Sequence, residues 1–331
     1  MINLETNYMG LTLKNPIIVG SCGLTGSLEK IEELETHGAG AVVLKSIFEE
    51  QILMEADSLR SAHPGHSEEA DNITQYTQQH NLDEYLQLVS AAKKAVSIPV
   101  IASINCASSS HWISFASKIQ DAGADGLELN IFIMPSDHNQ KGADVEKIYF
   151  DIIDLVKKQV TIPIAVKMSF YFSGLANMIF NLSVRRIGAI VLFNRFYAPD
   201  IDLEKMAVVS SHVFSSASEI GLPLRWVGML SPHVKCDLAA STGIQDGDGV
   251  IKCLLVGAKA VQVATTLYKN GPAHIGKMLD QIETWMKGRR FTSLQDFTGK
   301  LNQARIKNPI LYERTQFMKY FSGKYPDSTS E

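Results

Sequence analysis

The stretch SIPVIASINCASSSHWISFASKIQDAGADGLELN, residues 97–130, carries the pattern from which the fold is read. Ile98-Pro99 ends one helix and starts an extended run. Proline fixes its own φ and pushes the preceding residue out of the helical region. Residues 99–105 are rich in β-branched and small apolar side chains, as a buried strand requires. Residues 110–122 alternate apolar and polar groups at helical spacing, and Gly123 suits the turn from helix C-cap to strand. A second apolar run over 126–131 follows. Strand, helix and strand in this order form a βαβ unit, whose two strands lie parallel.

The same grammar repeats outward in both directions. Ile162-Pro163 starts a strand as Ile98-Pro99 does, and Gly38, Gly40, Gly188 and Gly257 stand where helices give way to strands. Strands are predicted over 16–21, 41–46, 99–105, 126–131, 163–169, 189–195, 237–242 and 260–266. Helices are predicted over 27–36, 82–95, 110–122, 145–159, 176–186, 249–256 and 273–287. Eight parallel strands point to a closed (β/α)8 TIM barrel, an α/β fold that takes roughly 250 residues. No GxGxxG opens a helix, so a doubly wound dinucleotide fold is disfavoured. One domain is expected over 1–301, with 302–331 as an extension of unassigned role. Met9-Gly10 places a turn in an N-terminal β-hairpin that would plug the end opposite the site. Insertions over 47–81, 132–143 and 196–223 follow strands 2, 4 and 6, at the strand ends where barrels build active sites.

Composition narrows the partners. The 331 residues carry a net charge of -4, with 45% hydrophobic and 20% charged side chains. Neither nucleic acid nor an anionic membrane is expected as a partner. No uncharged apolar run approaches the roughly 20 residues that span a bilayer, and Lys259 interrupts the best stretch, 254–267. The first ten residues, MINLETNYMG, lack the basic start and apolar core of a secretory signal. Cys22, Cys106, Cys236 and Cys253 stand singly, which argues against zinc or an iron–sulfur cluster and for a reducing cytoplasm.

Polar residues at strand C-termini point into a barrel's mouth. These are Ser21, Lys45, Ser46, Asn105, Asn130, Lys167, Ser169, Asn194, Arg195, Ser241, Thr242, Thr265 and Thr266. A lysine closing an apolar strand, as in AVVLK and PIAVK, is costly unless an anion or polar ligand meets it. Each lysine alone has a bland alternative, reaching solvent or a carboxylate. Two lysines with two asparagines favour one shared site. The small residues at 240–243 and 264–266 allow backbone N–H groups to approach phosphate oxygens after the last two strands.

These residues support a resemblance. Lys14-Asn15-Pro16 with Gly20-Ser21, AVVLKS at 41–46, Glu128-Leu129-Asn130, IAVK at 164–167 and Phe193-Asn194 occur in the order of class 1 dihydroorotate dehydrogenases. Thr242-Gly243-Ile244, LVGA at 255–258, LYKNGP at 267–272 and SLQDFTGKL at 293–301 continue it. The resemblance implies an FMN-dependent oxidoreductase acting on a CH–CH bond, taking dihydroorotate to orotate in pyrimidine biosynthesis, commonly as a homodimer. It implies that Ser21, Lys45 and Ser46 line the flavin ring and that Asn130 and Lys167 reach its polar edge. Ser241, Thr242, Gly243, Ala264 and Thr265 would cradle the phosphate, and Asn130 and Asn194 would also bind the substrate ring.

The chain departs from the family at the substrate. The family's N-L-S-C-P-N loop supplies a cysteine or serine base; here the segment from Asn130 to Ser136 is one residue longer and Met134 takes the base position. Ser136, Asp137 and His138 are the local substitutes, Ser136 being the best placed. The asparagine-rich loop after strand 2 is replaced by residues 71–76. Arg195, Tyr197 and Arg225-Trp226 are new, and Arg195 or Arg225 is a candidate for binding a substrate carboxylate. Alternatives therefore stay open: a flavin enzyme of other specificity, a barrel kept as a binding or partner subunit, or a phosphate-binding aldolase or isomerase without flavin.

Overall fold

In the computed structural model, which describes residues 2–50, 54, 67–105, 109–195, 198–211 and 213–313, the predicted parallel strands close on themselves. The chain opens with an antiparallel hairpin, β1 (Thr6–Tyr8) and β2 (Leu11–Leu13). Next come β3 (Ile17–Val19), α1 (Leu28–Thr36), β4 (Ala41–Val43), the two-residue β5 (Ile47–Phe48) and α2 (Ser67–Ala95). They are followed by β6 (Val100–Asn105), α3 (Ser109–Asp121), β7 (Gly126–Asn130), α4 (Gly142–Val156), β8 (Ile164–Met168) and α5 (Leu175–Ser183). β9 (Ala189–Leu192) leads to a second hairpin, β10 (Ala198–Asp202) and β11 (Ala207–Ser211), and then to α6 (Gly221–Leu230). β12 (Asp237–Ser241), α7 (Gly247–Val256), β13 (Ala260–Val263), the short α8 (Thr265–Asn270), α9 (His274–Arg289) and α10 (Ile310–Glu313) complete the order. The strands run β4-β3-β13-β12-β9-β8-β7-β6, and a β4–β6 pairing closes the ring. All of these pairings are parallel. The fold is the (β/α)8 barrel that the sequence rhythm predicts.

Strand alternation sorts the side chains into two sets. Leu127, Leu129, Val166, Val261 and Val263 face the helices, within the large outer core. Ala165, Ala189, Ala239 and Ala260 face inward and meet Tyr8, Met9 and Leu13 of the first hairpin. Those alanines leave the room that the hairpin fills, so it plugs the strand N-terminal end. Met9 and Gly10 both have positive φ, 49° and 87°, as a two-residue type I′ turn demands. The Met9 N–H donates to Asp237 Oδ2 at 2.8 Å, fixing the plug to the start of β12. The same parity places Ser103, Glu128, Asn130, Lys167, Ser241 and Gln262 inside the barrel, above the alanine layer.

Several elements differ from the sequence expectation, α2 and α6 among them. α2 begins at Ser67, inside the segment read as a polar insertion. Leu82, Tyr85, Val89 and Ala92 form its buried stripe. The upstream part of the sequence is too polar to show such a stripe, yet neither glycine nor proline interrupts 67–95. α6 lies partly within the lengthened connection after strand 6. Pro223 makes its start look like a loop, but proline is tolerated in a first helical turn, where no intrahelical partner awaits its missing N–H. That connection also holds the β10–β11 hairpin. Its turn is set by Asp202 Oδ1, which accepts from the N–H groups of Glu204 and Lys205 at 3.1 and 3.0 Å.

The start of the extension packs on the barrel. The Gln303 N–H donates to the Gly228 carbonyl at 2.9 Å, and the Tyr312 hydroxyl donates to the Leu301 carbonyl. Residues 314–331, Tyr197, Cys106 and the side chains of 71–76 lie outside what is described. Among the described residues no helix is long and apolar enough to cross a membrane.

Candidate functional site

The polar inward residues rim a cavity of about 380 Å³ at the C-terminal ends of the strands. Ser21, Lys45, Ser46, Asn130, Lys167, Asn194, Arg195, Ser241, Thr242, Gly243, Ala264 and Thr265 all line it. Twelve positions spread over most of the chain thus converge on one place. The two strand-end lysines share it, as the sequence suggests. Met134 and Ser136 do not line it; both are exposed, with Asp137 and His138, in the segment after β7.

One wall is a serine ladder. Ser21 Oγ lies 2.9 Å from Ser46 Oγ and accepts the Ser46 N–H at 2.8 Å. Ser46 Oγ lies 2.7 Å from Ser103 Oγ. Behind it, Tyr85 accepts the Ser103 N–H at 2.7 Å and donates to the Ser103 carbonyl at 3.0 Å. Burial pushes the Tyr85 phenol well up, so it stays a neutral prop.

The floor carries charge. Lys167 Nζ donates to Gln262 Oε1 at 2.8 Å, and Gln262 Nε2 donates to Glu128 Oε2. At the mouth, Asn194 Nδ2 donates to Asn130 Oδ1 at 2.6 Å.

The opposite wall is formed by the loops after β12 and β13. Thr242 and Gly243 have successive positive φ values of 81° and 78°. For threonine that conformation stores roughly 1–3 kcal/mol of strain. Gly243 also has no room for a side chain, since a Cβ there would lie 2.2 Å from Ile220 N. Ile220 belongs to a strap, 213–220, held against the site from several sides. Thr265 Oγ1 accepts the Ser215 N–H at 3.2 Å, and Gln245 Nε2 and Lys269 Nζ donate to the Ser215 carbonyl at 3.2 and 3.3 Å. Arg195 donates to Glu219 Oε1 at 2.9 Å and to the carbonyls of Val213 and Phe214 at 3.0 and 3.2 Å. Its guanidinium therefore ties the segment after β9 to the strap.

Three features were missed from sequence. Cys22 lines the cavity, but burial pushes its thiol up, against hydrogen bonding near Leu24 and Tyr268, which makes it a poor base at neutral pH. Gln262 and Glu128 are neighbours of Lys167; their only sequence signal is a lone polar residue at an inward position of an apolar strand. A second cavity of about 310 Å³ adjoins the first, sharing Asn194, Arg195, Ser241 and Thr242 and walled by Phe170, Phe193, Leu222 and Pro223.

Fold and site together define a (β/α)8 barrel whose polar cavity combines lysine, paired asparagines and a left-handed Thr-Gly turn at the strand C-termini. The sequence profile of the dihydroorotate dehydrogenase family matches residues 3–286, and the chain belongs to that family. It is 26% identical over 319 residues to the catalytic subunit of dihydroorotate dehydrogenase B (NAD(+)) of Thermoplasma acidophilum, covering 90% of this chain and 99% of that one. The corresponding subunit of Methanothermobacter thermautotrophicus is 26% identical over 314 residues, covering 89% of this chain and 97% of that one. Dihydroorotate dehydrogenase A (fumarate) of Lactococcus lactis is 25% identical over 326 residues, covering 90% and 99%. The protein is a dihydroorotate dehydrogenase-like oxidoreductase.

Proposed function

We propose that the protein uses FMN to oxidise a CH–CH bond in a dihydroorotate-like ring. The carrying observation is that Lys167, the Asn130–Asn194 pair and the left-handed Thr242-Gly243 turn share one cavity. The donor set fits an anionic, planar cofactor. Small residues at Ser241, Thr242, Gly243, Ala264 and Thr265 leave backbone N–H groups open to a phosphate, and no second nucleotide fingerprint calls for FAD. Ser21, Lys45 and Ser46 would line the ring, while Asn130 and Lys167 would hold its polar edge.

When bound, the flavin supplies the acceptor for the hydride removed from substrate. Lys167 would supply an ammonium that stabilises negative charge there. Asn130 and Asn194 orient the substrate ring, and Arg195 acts through the strap it holds. Ser136, the substitute for the family base, is exposed and outside the cavity, which favours a second reading: an enzyme of the same chemistry on a different ring or carboxylate.

We also read the protein as a homodimer of the cytoplasm. The exposed Leu203, Met206 and Val208 on the β10–β11 hairpin support an association surface, and the dispersed cysteines support a reducing compartment. The deciding experiment is mass spectrometry of flavin released from the purified protein, followed by anaerobic bleaching with candidate substrates. FMN is expected; FAD, or no flavin after reconstitution, overturns the reading.

A further inference from the structure

Strands β7, β8 and β13 turn Glu128, Lys167 and Gln262 into the barrel at the cavity floor, where Lys167 and Gln262 line the cavity. Lysine has donors only, so the Gln262 amide must present its oxygen to Lys167 Nζ, at 2.8 Å. That leaves Nε2 to donate to Glu128 Oε2. The amide thus stands between an ammonium and a carboxylate with its dipole aligned to both. Glu128 is 1% exposed, and its Oε1 has no hydrogen-bond partner among the described residues. It lies 3.9 Å from Lys167 Nζ, beyond direct hydrogen bonding.

We propose that Glu128 is a positioning residue which, acting through Gln262, keeps Lys167 charged at the cavity floor with its remaining donors open to a ligand. Burial disfavours a lone ammonium. A carboxylate in direct contact would offset that cost, but it would also occupy the lysine's donors. The intervening amide separates these effects. Coulomb attraction across 3.9 Å in a protein interior remains strong, while only one of three lysine donors is engaged by Gln262.

Among the described residues, the other titratable groups facing this chain include Cys22, from the loop after β3, Tyr8, from the plug, and Tyr85, from α2, whose phenol is raised by burial and then by Glu128. The Tyr8 phenol is held far above its ordinary range, first by burial and then by the negative charge of Glu128. The thiol and both phenols are therefore neutral, and Glu128 is the counter-charge.

The test needs no cofactor, so its failure is distinct from failure of the flavin reading. Amine-reactive ester labelling of the purified protein at one near-neutral pH, followed by peptide mass spectrometry, gives the rate at Lys167 relative to Lys45. Only the neutral amine reacts. Glu128→Gln should raise the Lys167 rate by about tenfold or more, one pKa unit being tenfold. The exchanged pair Glu128→Gln with Gln262→Glu restores a carboxylate beside the lysine and should return the rate to wild type or below. A merely structural disturbance would not be reversed by that exchange. Should Glu128→Gln not fold, Glu128→Ala removes the same carboxylate and should raise the rate likewise. An unchanged Lys167 rate in a folded single variant, or no reversal in the folded exchanged pair, overturns the proposal.

Discussion

The side chain of Asn194 donates to that of Asn130 across 2.6 Å, joining the ends of β9 and β7 over the intervening β8. Each amide is therefore held by the other. Asn130→Ala and Asn194→Ala should both weaken flavin or substrate-analogue binding, and less than additively together. A double-mutant cycle on dissociation constants should show coupling of about 0.5–3 kcal/mol. Strict additivity would mean that the pair does not orient the ligand as a unit.

Gly243→Ala should damage the site from behind. The added Cβ meets Ile220 N at 2.2 Å, and φ of 78° is strained for alanine. Stability should fall by more than about 1 kcal/mol, and flavin retention should fall with it as the strap shifts. Thermal unfolding and the ratio of visible to ultraviolet absorbance check both. A variant with wild-type values would place the strap elsewhere in solution.

The Arg195–Glu219 pair makes the strap acid-sensitive. Burial pushes the Glu219 carboxyl up, but hydrogen bonds from Ser216 and the Arg195 guanidinium outweigh it, and the net direction is downward. A carboxylate lowered on folding contributes stability in full above its unfolded pKa, about 4.3, and loses it as pH falls through the lower folded value. The wild-type advantage over Glu219→Gln in melting temperature should therefore be constant from neutral pH down to about 5 and shrink below it. An advantage that grows on acidification contradicts the assignment.

Dihydroorotate should reduce the bound flavin slowly. A positioned base contributes typically about 10²–10⁴-fold, Met134 has no proton-accepting group, and Ser136 is exposed outside the cavity. Stopped-flow reduction should be slower than in a family member with the usual cysteine or serine by a factor in that range. Ser136→Ala, Asp137→Asn and His138→Ala should alter it little if no replacement base has been recruited. Fast reduction abolished by Ser136→Ala would show that the 132–141 segment reaches the substrate in solution.

The barrel was legible because its signals are local. Ile98-Pro99, Ile162-Pro163 and Gly257 act within a few residues, and a strand's apolar run is visible without knowing its neighbours. α2 and α6 were less legible for the same reason. The start of α2 carries no apolar stripe, and Pro223 looks like a breaker until its place in a first turn is known. Strand-end residues of the cavity could be read because a closed parallel barrel brings every strand C-terminus to one face.

By itself the sequence determined the strand order, the plugging hairpin and which strand ends line one cavity, since these follow from periodicity and from the sterics of glycine and proline. Only the tertiary structure decided what those groups do to one another. Glu128 and Gln262 stand 134 positions apart, yet strand parity and barrel closure put them in one hydrogen-bonded chain with Lys167. Arg195, read from sequence as a ligand for a carboxylate, has a carboxylate of its own in Glu219, 24 positions on. Charge pairing acts through space over a few ångströms, and spacing along the chain does not report that distance.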